Sequence, residues 1–522
     1  MTIKSPYPDV EIPNVTLPEF VLGEAAGRGD KPALIDGPSG RTITYAGLAA
    51  GVDRMAAGLG ERGFGKGDVF AIFSPNLPEY AIAFHGVASA GGTATTINPL
   101  YTADELAFQL EHSRAKYLLT IPQFLDRAQE AAERAGIEEV FVLGEAEGAT
   151  PFAELLVGSG SAPDVDMDPS EDLVVLPYSS GTTGLPKGVM LTHRNIVANI
   201  CQALVPHTTS ENDVIIGVLP FFHIYGMTVI MNIAIHLGAT IVTMPRFDLE
   251  EFLTLLQDHK VTRAYLVPPI ILGLAKHPVV DKYDLSNLEV IMSGAAPLGG
   301  ELAAAASDRL GSVVMQGYGL TETSPVTHMV PDEPGRDRPG SIGFLIPSTE
   351  GKFVDVGTGK DIGTGERGEL WIRGPQVMKG YLNNDDATRA TIDSEGWLHT
   401  GDIGYVDEDG YFFLVDRLKE LIKYKGFQVP PAELEALLLS HPAISDAAVI
   451  PVPDEEAGEI PKAYVVLNEK VSEDEIMSFV AERVAPHKKI RLVEVTDEIP
   501  KSASGKILRR VLVEREREGA GS

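Results

Sequence analysis

Residues 178–193 read YSSGTTGLPKGVMLTH. Hydroxyls at Ser179, Ser180, Thr182 and Thr183, glycines at Gly181, Gly184 and Gly188, and the ammonium of Lys187 crowd into this one stretch. Glycine lets backbone N–H groups approach a polyanion without an intervening Cβ, and hydroxyls and an ammonium add further donors. Phosphate suits such a loop. The order is not G-x-x-x-x-G-K-[ST], because Gly188 rather than Ser or Thr follows the lysine. A solvent-exposed turn has the same composition, so the loop alone leaves both readings open. Further cations cluster at Arg417, Lys419, Lys423 and Lys425, and again at Lys506, Arg509 and Arg510. Taken alone, such a run is usually a solvated face.

These clusters stand against an acidic background of 43 Lys plus Arg and 74 Asp plus Glu, a net charge of -31. A broad basic face for nucleic acid is therefore not expected. The 522 residues, 44% of them hydrophobic, suggest several well-cored units. Cys201 is the single cysteine, which excludes an internal disulfide or a cysteine-rich zinc site and fits a reducing cytoplasm. No export signal is read at 1–10, and the C-terminal residues form no peroxisomal or prenylation address. The apolar stretch 227–244 is interrupted by Asn232, His236 and Gly238 and reads as a buried helix followed by a strand, not a membrane span.

The elements that must position these residues follow a repeated pattern: a short apolar run, a Gly/Ser/Thr-rich turn, then helical spacing. It occurs at 173–188, 288–299 and 312–323. This is the pattern of an α/β sheet whose strands open at their C-terminal ends onto ligand-binding loops. From about 331 to 416 closely spaced glycines predict a small, β-barrel-like unit. Apolar runs at 421–429, 447–452, 463–467 and 490–495, with helices opened by Pro430 and Pro431 and near 473–484, predict a small α+β domain. The β-rich unit ends near Asp416, and the remaining ~100 residues are a plausible domain length.

YSSGTTGLPKGVMLTH resembles the signature of the acyl-adenylate-forming enzymes, the superfamily of acyl-CoA synthetases, luciferases and adenylation domains. LPFFHIYG (219–226), SGAAPLG (293–299), QGYGLTET (316–323), GWLHTGD (396–402), DRLKELIKYKGFQVPPAELE (416–435) and PKSASGKILRR (500–510) follow in that family's order. FFHIYG together with IKYKGFQVPPAELE is most similar to the 4-coumarate:CoA ligase branch. The resemblance implies the substrates ATP and coenzyme A, the ion Mg2+ and an aromatic or fatty carboxylic acid. It implies no nucleic-acid or obligate protein partner. A medium-chain fatty acyl-CoA synthetase and a luciferase-type monooxygenase are its rival forms.

The implied reaction joins two anions, a carboxylate and the α-phosphate of ATP, so an acidic protein must gather cations locally. The resemblance makes Lys506 the lysine that reaches both, Glu322 the Mg2+ residue and Asp402 the acceptor for both ribose hydroxyls. Each of these residues alone would pass as a surface charge or a turn former. His223 is matched to a gate beside the acyl carbonyl. Nucleotide contacts fall on the glycine-rich loop and on Gln316, Gly317, Thr321, Arg417, Lys419, Lys423 and Gln428. Coenzyme A contacts fall on Arg246, Lys425 and Gly426. Tyr225, Gly294, Ala295, Gly317, Leu320, Pro325, Val326 and Met329 are matched to the acid pocket. Cys201 is left to packing, and the resemblance implies a large N-terminal part, 1–418, and a mobile C-terminal domain, 419–522, with Lys419 as the pivot. Val229 stands where plant members of the branch have serine, and Leu320 and Thr323–Ser324 also depart from the usual Met and Ala-Gly.

Overall fold

The computed structural model describes residues 2–158, 162–179, 186–331, 338–425, 427–454, 456–502 and 505–520. Two large sheets carry the site. In the first, Val69–Ile72, Thr93–Thr96, Ala115–Thr120 and Glu139–Val142 run parallel to β1 (Leu173–Ser179). β2 (Lys187–Thr192) returns antiparallel beside β1, pairing Lys187 with Ser179 and Gly188 with Tyr178. Helix α1 (His193–Ala203) starts at once because Thr192 and Asn195 cap each other reciprocally: the Asn195 N–H donates to Thr192 Oγ1 at 3.2 Å and the Thr192 N–H to Asn195 Oδ1 at 3.0 Å. Cys201 lies on this helix, half-buried against the core, and burial pushes its thiol up to about 11, so it packs there as an un-ionised group.

In the second sheet, Val214–Gly217, Thr240–Thr243 and Arg263–Leu266 lead to helix α2 (Pro268–Lys276) and to the parallel strands β3 (Val290–Ser293) and β4 (Val313–Gly319). Stretch 227–244 is the expected buried helix and strand, but its first part, Tyr225–Asn232, has the wide turns of a π-helix before Ile233–Leu237 continues as α-helix. Among the described residues no helix is long and apolar enough to cross a membrane. Val52, Tyr80, Phe84, Ile196, Ile200 and Ile230, from helices, join Phe70 and Ile241, from the two sheets, in one continuous core. That shared core holds the ends of β1, β3 and β4 in a common frame.

The glycine-punctuated region contributes strands to three sheets, with Phe344–Leu345 extending the second sheet beside Val326–Met329. Glu350–Val354, Gly368–Arg373, β6 (Leu398–Val406) and β7 (Phe412–Arg417) form an antiparallel sheet, extended at its edge by Ile3–Lys4. Between them β5 (Gly380–Tyr381) leaves this sheet and pairs with β2, Tyr381 opposite Val189. Neither short strand has a local pattern that marks it in sequence.

The C-terminal segment is α+β, with its own core of Ile422, Val429, Leu434, Leu438, Val449, Val465 and Ile476. The single apolar run 421–429 is in fact a hairpin, Ile422–Tyr424 against Phe427–Val429, turning at Lys425 with φ 46°. A last helix, Arg509–Ala520, has too many charges to stand out in sequence; it is seated by Leu512, which packs on Ile450 and Tyr464. Helix α3 (Pro431–Ser440) is held at both ends by the rest of the chain. Asp416 Oδ2 accepts from the Ala432 N–H at 2.8 Å, and Lys276 Nζ donates to the Leu439 carbonyl at 2.9 Å. A carboxylate at the N-terminus and an ammonium at the C-terminus both complement the helix dipole.

Candidate active site

Ser179 ends β1 and Lys187 opens β2, so the pairing of these strands brings the two ends of the glycine-rich segment together. Ser180, Gly181, Thr182, Thr183 and Gly184 lie outside the described residues, as does Gly426. The Lys187 ammonium sits 4.9 Å from the centroid of the Tyr381 ring. The Tyr381 hydroxyl donates to Glu322 Oε1 at 2.8 Å. Glu322 belongs to a single tight turn, Thr321–Thr323, after β4, and its carbonyl accepts from the Met378 N–H at 2.9 Å. The residues that depart from the usual pattern are used here. Thr323 Oγ1 donates to the Pro325 carbonyl at 2.5 Å and Ser324 Oγ to the Gln376 carbonyl at 2.8 Å, the latter from a backbone at φ 74°.

Glu322 accepts from a neutral phenol, and among the described residues no Lys, Arg or His forms an ion pair with it. Among those residues, too, no group of three or more His, Cys, Asp or Glu could hold a metal ion. A lone carboxylate of this kind fits Mg2+, which is held by one or two carboxylates together with phosphate oxygens and water.

Across the cleft, Asp402 on β6 stands opposite Arg417 on β7. Its Oδ2 accepts from the Tyr318 hydroxyl at 2.5 Å and its Oδ1 faces Arg417 Nε at 3.2 Å. Burial raises the Asp402 carboxyl above its ordinary value, while Arg417 and Tyr318 pull it back. Each oxygen thus has a fixed partner and keeps acceptor capacity for one more donor.

Lys506 comes into the same cleft. Its ammonium is lowered to about 8, first by burial and then by the like charge of Arg417, against the opposing pull of Glu420 and Asp402. A narrow turn carries it: the Lys506 N–H donates to Ser502 Oγ at 3.1 Å and the Ser502 N–H to the Lys506 carbonyl at 2.8 Å. Gly505, at φ 77°, makes the turn against Val267, whose Cγ2 would stand 3.0 Å from an added Cβ. A side chain there would strain the backbone and push the lysine away.

His223 is lowered to about 4 by burial and by the Lys506 charge, so it is neutral near pH 7. Its Nδ1 accepts from the Tyr225 N–H at 3.3 Å, which leaves the proton on Nε2. The Tyr225 hydroxyl donates to the Met292 carbonyl at 3.2 Å, and its ring lies across Gly294, where an added Cβ would meet Tyr225 Cε1 at 2.7 Å. Ala295 follows at φ 67°, exposed, and Gln316 Oε1 steadies this loop by accepting from the Leu298 N–H at 3.0 Å. Gly317 pairs with buried Met329, and Val326 is buried nearby, while Leu320 and Pro325 border the turn that carries Glu322. Val229 is buried one helical turn from Tyr225.

A small cavity of about 30 Å³ adjoins His223 and Thr321, lined also by Thr96, Asn98, Tyr101 and Tyr178. Sequence reasoning did not find these residues, which come from two strands of the first sheet, Thr93–Thr96 and β1, and from the loop after Thr96. Nor did it single out Tyr318, although QGYGLTET contains it, or Tyr381, whose partners are distant in sequence.

The remaining candidates stand apart from this cluster. Lys425 pairs with Glu456 at 2.5 Å, the Lys423 N–H donates to Glu459 Oε2 at 2.7 Å, and Lys419 and Arg246 are exposed. Gln428 borders a second cleft, about 160 Å³, with Arg367 and Leu421. Arg509 is buried against Glu420 and, at 2.6 Å, Glu435, so its charge is spent within the protein, while Arg510 is exposed beside Glu514.

The AMP-binding enzyme profile matches residues 23–382 and the profile of the AMP-binding enzyme C-terminal domain matches 433–506. The chain belongs to the AMP-binding enzyme family. Within it, the chain is 46% identical to 4-coumarate--CoA ligase 3 of Oryza sativa subsp. japonica, over 98% of this chain and 94% of that one. It is 45% identical to 4-coumarate--CoA ligase 2 of Petroselinum crispum, over 98% and 96%. Among solved structures, an anthranilate CoA ligase in complex with anthranoyl-AMP superposes with a TM-score of 0.92 at 27% identity, covering 98% of this chain and 99% of that one. The α/β sheets, the small β-rich unit and the C-terminal α+β segment agree with the family's architecture.

Proposed function

We propose that this AMP-binding enzyme is a carboxylate:CoA ligase that uses ATP and Mg2+ and acts on 4-coumarate, cinnamate or a related hydroxycinnamate. The observation that carries the reading is the meeting of Lys506 with Asp402 and His223 in one cleft, its charge felt by both. The acid's carboxylate oxygen attacks the α-phosphorus, an acyl–O–P bond forms, and pyrophosphate leaves. Lys506 offsets the charge that builds where the two anions meet. Lys187 and the glycine-rich segment hold the phosphates, and Asp402 takes the ribose hydroxyls. Glu322 would hold Mg2+, which neutralises phosphate charge when bound.

In the second step the coenzyme A thiolate attacks the acyl carbonyl and AMP leaves with the electron pair of the broken C–O bond. Neutral His223, with its proton on Nε2, stands at the acyl end without adding positive charge. Tyr225, Gly294, Ala295, Gly317 and Met329 shape a flat pocket for the aromatic acid. The segment from Lys419 onward rotates between the steps: Lys506 serves the first, and Lys425, which pairs with Glu456 apart from this cluster, serves thiol delivery in the second. The protein is cytoplasmic, in keeping with its lone, half-buried Cys201.

The deciding experiment measures acid-dependent ATP–pyrophosphate exchange and coenzyme A consumption over cinnamates, benzoates and fatty acids. Highest kcat/KM with a hydroxycinnamate supports the reading. Preference for a medium-chain fatty acid, or light emission with oxygen uptake on luciferin, overturns the substrate assignment. Absence of exchange with every acid overturns the chemistry.

A further inference from the structure

Tyr381 sits where two chain segments distant in sequence converge on the phosphate side. It is 6% exposed, and its strand, β5, is hydrogen-bonded to β2, so the ring has one place relative to Lys187. Its hydroxyl donates to Glu322 Oε1 at 2.8 Å and its ring faces the Lys187 ammonium at 4.9 Å.

We propose that Tyr381 is a positioning residue that fixes the spacing between Glu322 and Lys187. The phenol ties down one oxygen of the carboxylate and leaves the other to face the ion, while the ring cradles the ammonium meant for the phosphates. The consequence is one geometry for a carboxylate and a cation that must act on the same polyphosphate. The inference rests on the ligase reading, in which Glu322 serves the ion and Lys187 the phosphates.

Tyr381→Phe removes the donor but keeps the ring. Calorimetric titration with ATP in Mg2+, without acid, should show roughly tenfold weaker binding, the scale of losing a hydrogen bond to a charged group. AMP affinity should be unchanged, and the Mg2+ concentration for half-maximal pyrophosphate exchange should rise. In a Glu322→Ala background, which has no acceptor for the phenol, the loss on Tyr381→Phe should vanish, because the two substitutions break one contact. Tyr381→Leu, which also removes the ring, should weaken ATP binding even without Mg2+. Parental Mg2+ dependence and ATP affinity in a Tyr381→Phe protein that melts like the parent overturn the proposal. So does a loss that persists with Glu322→Ala, or one shared equally by AMP. Parental protein that exchanges no pyrophosphate with any acid refutes the ligase reading instead, so the two failures are told apart.

Discussion

The phosphate side and the lysine side of the cleft are built in opposite ways. Lys187 and Tyr381 stand on paired strands of the first sheet, Glu322 stands on the turn after β4 of the second, and each touches another of the three. Lys506 arrives on a turn of the C-terminal segment, braced by Gly505 on Val267 and by the two-ended hold on α3. Strand pairing fixes a group permanently, whereas a turn on a separately cored segment can be withdrawn. The difference teaches which half of the site can change partners between two reaction steps and which half cannot.

The largest expected effect tests the withdrawn half. Lys506→Ala should slow acid-dependent pyrophosphate release by at least ~100-fold, the scale of losing a transition-state donor. Pre-formed acyl-adenylate should still become thioester. Normal pyrophosphate release in this variant would sink the role given to Lys506.

Lys419→Pro sharpens the contrast by fixing φ near about -65° at the expected pivot. If it holds Lys506 in the cleft, pyrophosphate release in a single turnover persists while thioester formation from added acyl-adenylate falls about tenfold or more. Parental rates for both half-reactions in a well-folded variant would move the pivot elsewhere.

A pH profile reads the same lysine without mutation. With its ammonium lowered to about 8, Lys506 is charged below that pH and loses its proton above it. Adenylation should therefore fall on the alkaline side, about tenfold by one pH unit past the midpoint. Lys506→Arg should abolish this limb, since a guanidinium keeps its proton. A limb unchanged by Lys506→Arg would assign it to another group.

Lys276→Ala removes one end of the hold on α3 and touches no proposed substrate contact. Adenylation should slow by roughly threefold, the size of one charge–helix contact, with thioester formation unaffected or faster. Equal slowing of both half-reactions would reduce Lys276 to general stability.

The smallest effect concerns the acid. Val229 offers no hydrogen bond to a 4-hydroxyl, so kcat/KM for cinnamate should lie within about tenfold of that for 4-coumarate, and a preference above ~10⁴ would show dedicated hydroxyl recognition.

Glu322, Asp402 and Lys506 were legible in sequence because each sits in a local run whose glycines and hydroxyls are themselves unusual. The strands that end at Ser179, Ser293 and Gly319 were legible for the same reason, as apolar runs closed by turn residues. Tyr381 and Tyr318 were not, since their meaning lies in Glu322 and Asp402, far away along the chain. Arg509 shows the converse. It reads as one member of a basic run with Lys506, yet Glu435, lifted to about 7 by burial and held down by this arginine, and Glu420 claim its charge. Local pattern finds groups with a local reason to be there and misses those recruited across the fold.

The excursion of β5 from one sheet to another changes how the molecule can be taken apart. A chain cut near residue 331 would look like two modules in sequence, yet the downstream piece would carry away the tyrosine that the upstream piece needs beside Glu322. Exchange of the acid pocket between relatives therefore has a natural boundary set by this seam. A graft that replaces the Glu322 turn has to bring a matching residue at position 381, or the donor's pocket arrives without its anchor.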